Sequence, residues 1–149
     1  MEAIFRPIES KDIPIVVAMM EDFYAIDNYP IDANVSRELM LEFLENESLG
    51  RGWTILKENE PVGYVIMTFV FSFEYRGRIA FLDELFISAG ARGLGFGKAA
   101  LDFVAGQAKA LSVKIIYLEI ERHNSAAQKL YLAKGYEIHN RGLMKLVVQ

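Results

Sequence analysis

Cysteine is absent from this chain of 149 residues, and histidine occurs only twice. Without cysteine there is no disulfide, no thiolate metal site and no cysteine acyl-enzyme. His123 and His139 are isolated in the sequence, and two isolated histidines do not make a zinc centre by themselves. The sequence therefore predicts a protein without a bound metal.

Long apolar runs and an excess of basic residues are missing as well. No 18-residue uncharged apolar stretch is present, and the first residues lack the basic start and cleavage site of a signal peptide. The formal net charge is −4 and the Lys and Arg residues are dispersed, which argues against a nucleic-acid partner. We therefore expect a cytoplasmic protein with neither a membrane nor a nucleic-acid partner.

Apolar sequence, in contrast, is plentiful enough for one folded domain over residues 1–149, since hydrophobic residues make up 52% of the chain. Helical and alternating periodicities predict the order β-α-α-β-β-β-α-β-α-β-β, an α/β fold with a mixed sheet and helices on both faces. The predicted helices span residues 11–24, 34–45, 98–111 and 125–134. The predicted strands span residues 3–7, 53–58, 62–74, 81–87, 114–120, 136–141 and 143–148.

The most informative segment is Arg92-Gly93-Leu94-Gly95-Phe96-Gly97-Lys98, which joins a strand pattern to a helical one. Three glycines in five residues let the backbone approach an anion without a Cβ in the way. The first-turn N–H groups and the positive end of the helix dipole face the same point, and Arg92 and Lys98 add charge. The segment is predicted to bind phosphate. A glycine-rich turn that only permits close packing is the alternative.

Three phosphate-binding patterns can be compared with this segment. A Walker loop fails, because Arg92 stands where its first glycine is required and Ala99 replaces the magnesium-binding hydroxyl. The dinucleotide fingerprint is formally met by Gly95, Gly97 and Ala100, but only about fifty residues follow, too few for the βα units that normally complete that fold. The third pattern, Arg/Gln-x-x-Gly-x-Gly/Ala, is met by Arg92, Gly95 and Gly97. In this pattern the chain resembles the GNAT superfamily of acyl-coenzyme A N-acyltransferases.

The rest of the chain strengthens the resemblance. The strand pattern at residues 114–120 is followed by Asn124 and, about two helical turns later, by Tyr131, which is the order found in GNAT proteins. Residues 81–87 look like the family's strand before the loop. The resemblance implies a mostly antiparallel central sheet with helices on both faces.

The resemblance also implies an activity, in which a primary amine attacks the thioester of acetyl-coenzyme A (acetyl-CoA) directly. Asp83 or Glu84 is then the carboxylate that accepts the proton of the amine. The spermidine/spermine N-acetyltransferases carry a similar acidic pair and point to Asp83, whereas many other relatives point to Glu84. Because adjacent strand residues face opposite sides of a sheet, only one of the two is expected to serve. Tyr131 is implied as the proton donor to the departing thiolate.

Contacts to acetyl-CoA are implied for the loop and for the strand end before it. A backbone N–H of Phe86 or Ile87 is implied as the donor to the developing oxyanion, and Asn124 as a partner of the pantetheine amides. The residues implied to bind this cosubstrate are Leu85, Phe86, Ile87, Arg92, Gly93, Leu94, Gly95, Phe96, Gly97, Lys98, Asn124 and Tyr131.

The acceptor is the least defined part of the prediction. Tyr24, Tyr29 and Phe73 are predicted to line a pocket for a small-molecule amine acceptor, such as a polyamine or an amino acid. A protein N-terminus or lysine is the alternative acceptor, and a coenzyme A-binding sensor without catalysis is the alternative of another class. The sequence leaves a homodimer open.

Overall fold

The computed structural model describes residues 2–149, which fall into two compact units, a larger one that ends at Glu119 and a smaller one, Ile120–Gln149. A single domain over residues 1–149 stays a prediction. The larger unit contains β1 (Ile4–Pro7), α1 (Ile13–Ile26), α2 (Ala33–Glu45), β2 (Gly50–Lys57), β3 (Glu60–Ser72), β4 (Gly77–Ile87), α3 (Phe96–Ala110) and β5 (Ile116–Tyr117). The smaller unit contains α4 (Ser125–Ala133).

The larger unit is built on one five-stranded sheet in the order β1-β2-β3-β4-β5. The first three pairings are antiparallel, and β4 pairs with β5 in parallel. A two-residue turn joins β2 to β3, in which Glu58 and Asn59 adopt positive φ angles of 50° and 68°. Such turns match the twist of a hairpin. The predicted mixed, mostly antiparallel fold is confirmed.

Helices cover both faces of this sheet, as predicted. On one face, α1 and α2 pack against Tyr64, Ile66 and Phe86 of β3 and β4. On the other face, α3 contributes Phe96 and Ala100 to a cluster with Ile55 of β2. Side chains of β4 alternate between these two clusters, because Phe86 belongs to the first and Leu85 and Ile87 belong to the second.

The pairing of β3 with β4 contains a β-bulge at Asp83. Ile66 pairs with Glu84, whereas Met67 pairs with Leu82, so Asp83 is the one extra residue on β4. The extra residue shifts the alternation of side chains and backbone groups on β4 by one position. Counted along the sequence, the alternation of side chains and of backbone N–H groups on β4 is therefore out of step by one residue before and after Asp83.

Gly63 of β3 lies unusually close to β4. A Cβ built at position 63 would stand 2.1 Å from the carbonyl oxygen of Phe86. Only glycine lets the two strands approach this closely.

The C-terminal part of the chain departs from the prediction. The strand expected at residues 114–120 is reduced to Ile116–Tyr117, because its ladder with β4 involves only Ala80 and Phe81. After α4, the structure assigns no strand to residues 136–149, where two were predicted. Apolar periodicity marks a candidate strand, but a strand exists only where a neighbouring ladder takes up its backbone groups.

Candidate active site

The glycine-rich segment forms the entrance to α3. A short 3₁₀ turn at Ala89–Ala91 follows β4, and Gly95 is the N-cap of the helix. Gly93 and Gly95 have positive φ angles of 78° and 91°, in the left-handed region that favours glycine. Apart from the glycine itself and its two chain neighbours, no described heavy atom lies within 4 Å of a Cβ built on either residue. The loop therefore leaves open space along its glycines, as a phosphate cradle requires.

The first N–H groups of α3 are free of side-chain caps. The first N–H of this helix bonded within it is that of Ala99, which donates to the carbonyl oxygen of Gly95 at 3.0 Å. The start of α2 differs, because the side chain of Asp32 accepts from the N–H of Asn34 and Val35 there. Within residues 2–149, no partner is found for the N–H groups of Phe96, Gly97 and Lys98, and a helix start of this kind favours an anion.

Arg92 ties the loop back to the end of β4. Its Nε donates to the carbonyl oxygen of Ile87 at 2.9 Å, and its guanidinium carbon lies 5.7 Å from the centroid of the Phe86 ring. The sequence predicted Arg92 as charge for a phosphate. The structure adds a second role, because one donor of this side chain holds the strand end in place.

After Phe81, no strand of the described residues pairs with β4 on the side away from β3. The N–H of Ser88 donates to the carbonyl oxygen of Val62 at 2.8 Å, so the alternation of an antiparallel ladder turns the N–H groups of Leu85 and Ile87 away from β3. The ladder with β5 stops at Phe81. Of the two predicted oxyanion donors, Phe86 and Ile87, this geometry favours the N–H of Ile87.

Two tyrosine hydroxyls hold the carboxylate of Glu84. Tyr24 of α1 donates to Oε2 at 2.6 Å, and Tyr64 of β3 donates to Oε1 at 2.7 Å. Tyr24 contacts the candidate base, and its predicted place in the lining of the acceptor pocket stays a prediction. Tyr64 was not predicted. The signal for it in the sequence was a tyrosine within the apolar run of β3, whose buried hydroxyl must find a partner.

The surroundings of both carboxyl groups raise their pKa values. Burial raises the pKa of Glu84, the hydrogen bonds from Tyr24 and Tyr64 lower it, and the negative charge of Asp83 raises it. Burial also raises the pKa of Asp83, and the charge of Glu119 adds to that rise. Raised carboxyl pKa values are typical of groups that accept protons in catalysis.

The expectation that Asp83 and Glu84 face opposite sides of the sheet stays a prediction. It rested on a regular strand, and the bulge at Asp83 interrupts the regular alternation between these two residues. The negative charge of Asp83 acts on Glu84 and also raises the pKa of both Tyr24 and Tyr64. Asp83 therefore belongs to the same electrostatic cluster.

The site thus combines a free helix start with open glycines, an open strand edge and a carboxylate cluster, all connected through β4 and the loop after it. The sequence profile of the acetyltransferase (GNAT) family matches residues 17–136. The chain belongs to this family. The prediction of an acetyl-CoA-dependent acetyltransferase is thereby confirmed.

Solved structures agree with the GNAT assignment. An integron cassette protein from the mobile metagenome of Cole Harbour Salt Marsh is 30% identical, with a TM-score of 0.88, over 97% of this chain and 90% of that one. A predicted acetyltransferase from Clostridium acetobutylicum, solved with acetyl-CoA, is 17% identical, with a TM-score of 0.79, over 97% and 96% of the two chains. The aminoglycoside N-acetyltransferase AAC(6')-Iy, solved with CoA, is 12% identical, with a TM-score of 0.83, over 99% and 96%. The last two likenesses show the fold alone. No curated protein matches the chain significantly.

Two of the residues expected from the GNAT resemblance lie in the smaller unit. The side chain of Asn124 accepts from the N–H of Ala127 at 3.1 Å and so caps α4. Tyr131 packs against Tyr136 with ring centroids 5.8 Å apart, and burial raises the pKa of the Tyr131 hydroxyl. A tyrosine with a raised pKa is protonated at neutral pH, as a proton donor must be. The catalytic role of Tyr131 and the pantetheine contact of Asn124 remain predictions.

The other predicted acceptor residues are exposed. Tyr29 is 54% exposed and Phe73 is 89% exposed, and Phe73 stacks edge-on against Phe71 at the end of the β3–β4 hairpin. In the described part of the chain, no group of three or more Asp, Glu or His side chains is placed to hold a metal ion. Among residues 2–149, no helix has the length and apolar character needed to cross a membrane.

Proposed function

We propose that this GNAT protein transfers the acetyl group of acetyl-CoA directly to a primary amine of a small molecule. The observation that carries the proposal is the carboxylate of Glu84, half-buried and held by two tyrosines, three residues before the open N–H of Ile87 on the same strand. A proton acceptor and an oxyanion donor on one rigid strand are the two elements that direct acyl transfer needs.

The cosubstrate fits the loop by the chemistry of its groups. The pyrophosphate of acetyl-CoA is assigned to the N–H groups of Phe96, Gly97 and Lys98, where the helix start has no side-chain cap. Gly93 and Gly95 leave the space that a phosphate would occupy. The pantetheine is assigned to the backbone of β4 from Leu85 to Ile87, and to Asn124 by its position in the family's pattern.

Removal of a proton from the amine is the main task of the side chains. An alkyl ammonium has a pKa of about 10.4, so forming the neutral amine at pH 7 costs about 4.6 kcal/mol. A carboxylate with a raised pKa, Glu84 or Asp83, accepts that proton directly or through water and lowers this cost. The N–H of Ile87 stabilises the charge that develops on the thioester oxygen, and Tyr131 is proposed to protonate the departing thiolate.

A small cationic amine is the acceptor that the charge of the site favours. Asp83, Glu84 and Glu119 interact electrostatically, and a positively charged amine would relieve their repulsion. Polyamines and amino acids belong to this class, and the proposal is supported by the resemblance of the acidic pair Asp83 and Glu84 to the pair in spermidine/spermine N-acetyltransferases. A protein N-terminus or lysine is the alternative acceptor. The cytoplasmic location, the absence of a metal and a homodimer stay predictions.

The experiment is an acetyl-CoA turnover assay that follows release of the free CoA thiol. The panel contains polyamines, amino acids, aminoglycosides and peptides with a free N-terminus or lysine. We expect turnover with at least one small amine and a loss of about 10²-fold or more in Glu84→Gln. Turnover only with peptides would support the alternative acceptor. Binding of acetyl-CoA without turnover on any amine would favour the sensor without catalysis. A melting temperature raised by NAD but not by acetyl-CoA would exclude the assignment of the loop to acetyl-CoA.

A further inference from the structure

Each oxygen of the Glu84 carboxylate accepts one tyrosine hydroxyl, and the two hydroxyls come from different layers of the molecule. Tyr24 reaches Oε2 from α1, and Tyr64 reaches Oε1 from the neighbouring strand β3. We propose that Tyr24 and Tyr64 are positioning residues that hold the Glu84 carboxylate ionised and in one orientation for accepting the proton of the amine. This inference rests on the proposed function.

The two hydroxyls are themselves fixed by packing. Tyr64 is fully buried, and its ring lies 6.0 Å from that of Phe86 and 6.4 Å from that of Phe23. The ring of Phe23 also lies 6.1 Å from that of Tyr24. One aromatic residue of α1 thus contacts both donors. A carboxylate held by groups with so little freedom loses little entropy when an amine binds.

The arrangement leaves the carboxylate able to react. An ionised carboxylate offers about four acceptor positions, and the two tyrosines occupy one on each oxygen. At least one lone pair on each oxygen stays available to an ammonium or to a bridging water. Both hydroxyls must donate in these bonds, because the ionised carboxylate has no proton to give.

The charged form of Glu84 is the form that the tyrosines stabilise. Burial and the negative charge of Asp83 raise the pKa of Glu84, whereas the two hydroxyl donors lower it. The groups that face Glu84 are Tyr24 from α1, Tyr64 from β3 and Asp83 from β4, while Glu119 acts on Asp83. The two tyrosines therefore oppose the effects of burial and of Asp83, which raise the pKa of Glu84.

The test is the pH profile of kcat/KM for the best amine in wild-type protein, Tyr24→Phe and Tyr64→Phe. Phenylalanine keeps the ring but removes the donor, so the acidic limb should move upward by about 1 pH unit in each variant. KM for acetyl-CoA should stay unchanged, because neither hydroxyl is assigned to the cosubstrate. Tyr75→Phe is the matched control, since the Tyr75 hydroxyl pairs with that of Tyr117 at 3.1 Å, and its profile should match the wild type.

Tyr64 is buried, so cooperative melting of Tyr64→Phe is checked first. If this variant is unfolded, Tyr24→Phe decides, because Tyr24 is only half-buried. An acidic limb at the wild-type pH in Tyr24→Phe would overturn the inference. A ¹³C NMR titration of the Glu84 carboxyl measures its pKa directly, and this pKa should also rise in Tyr24→Phe. If wild-type protein turns over no amine, the proposed function fails, while an unchanged Glu84 titration in Tyr24→Phe would refute the tyrosine contacts independently.

Discussion

Asp83 and Glu84 are neighbours on β4, yet only Glu84 has a partner across the ladder, Ile66 of β3. The bulge at Asp83 interrupts the regular alternation of β4 at this pair, and the negative charge of Asp83 raises the pKa of Glu84. The two negative charges repel each other, so substitutions at Asp83 and at Glu84 should change activity and its pH dependence in different ways.

Replacing each acid in turn identifies the proton acceptor. If Glu84 is the base, Glu84→Gln should lower kcat/KM by about 10²-fold or more. Asp83→Asn should retain activity and move the acidic limb to lower pH, because the charge that raises the pKa of Glu84 is gone. Steady-state profiles between pH 5 and 9 measure both effects. The opposite pattern, with Asp83→Asn inactive, would assign the base to Asp83.

Asp83 should also reduce stability at neutral pH. Its pKa is raised in the folded state above the ordinary value of 3.8, first by burial and then by Glu119. Between those two pKa values the folded state binds more protons than the unfolded state, so the free energy of unfolding falls as pH rises through this window. We expect Asp83→Asn to melt at a higher temperature than the wild type at pH 7. In a Glu119→Gln background the gain should be smaller, and an equal gain would contradict the coupling of the two acids.

The loop glycines make a prediction with an internal control. Gly95→Ala places a Cβ on a residue with φ of 91°, which should cost about 1–2 kcal/mol of stability and weaken acetyl-CoA binding. Gly106 lies in the middle of α3 and is exposed, with no neighbouring atom near a new Cβ. Gly106→Ala should therefore stabilise the protein by about 1 kcal/mol. Calorimetric titration with acetyl-CoA should show weaker binding only for Gly95→Ala. Equal affinities in both variants would argue that the loop is a packing turn.

Tyr131 and its ring partner Tyr136 form a second matched pair. Tyr131→Phe removes the proton proposed for the leaving thiolate, and turnover should fall by roughly 10²-fold with stability nearly unchanged. Tyr136→Phe removes a hydroxyl from the packed neighbour 5.8 Å away, and should keep wild-type turnover. Single-turnover kinetics with the best amine separate the two variants. Full activity of Tyr131→Phe would mean that solvent supplies the proton.

The sequence predicted best what depends on local geometry. The glycine-rich segment lies between β4 and α3, as predicted, and the positive φ angles of Gly93 and Gly95 agree with the residue types of that short segment.

The parts that were missed depend on contacts between distant segments. The hydroxyl of Tyr64 meets Glu84 across twenty positions of sequence, and Tyr24 meets it across sixty. Neither spacing leaves a periodic signal. The bulge at Asp83 was missed because one extra residue changes the pairing with β3 and not the apolar character of β4. The strands expected after α4 were inferred from alternation alone, which carries no information about a pairing partner.

Gly63, which has no side chain, influences the direction of the N–H group of Ile87. The carbonyl group of Phe86, which a Cβ at position 63 would displace, and the N–H of Ile87 belong to the same peptide unit. That unit is planar and stiff, so pushing one end turns the other. A methyl group at position 63 would displace the carbonyl oxygen of Phe86 and so rotate the N–H of Ile87 on the opposite edge of β4. The proposed oxyanion donor would then change direction although residue 63 is not assigned to any ligand.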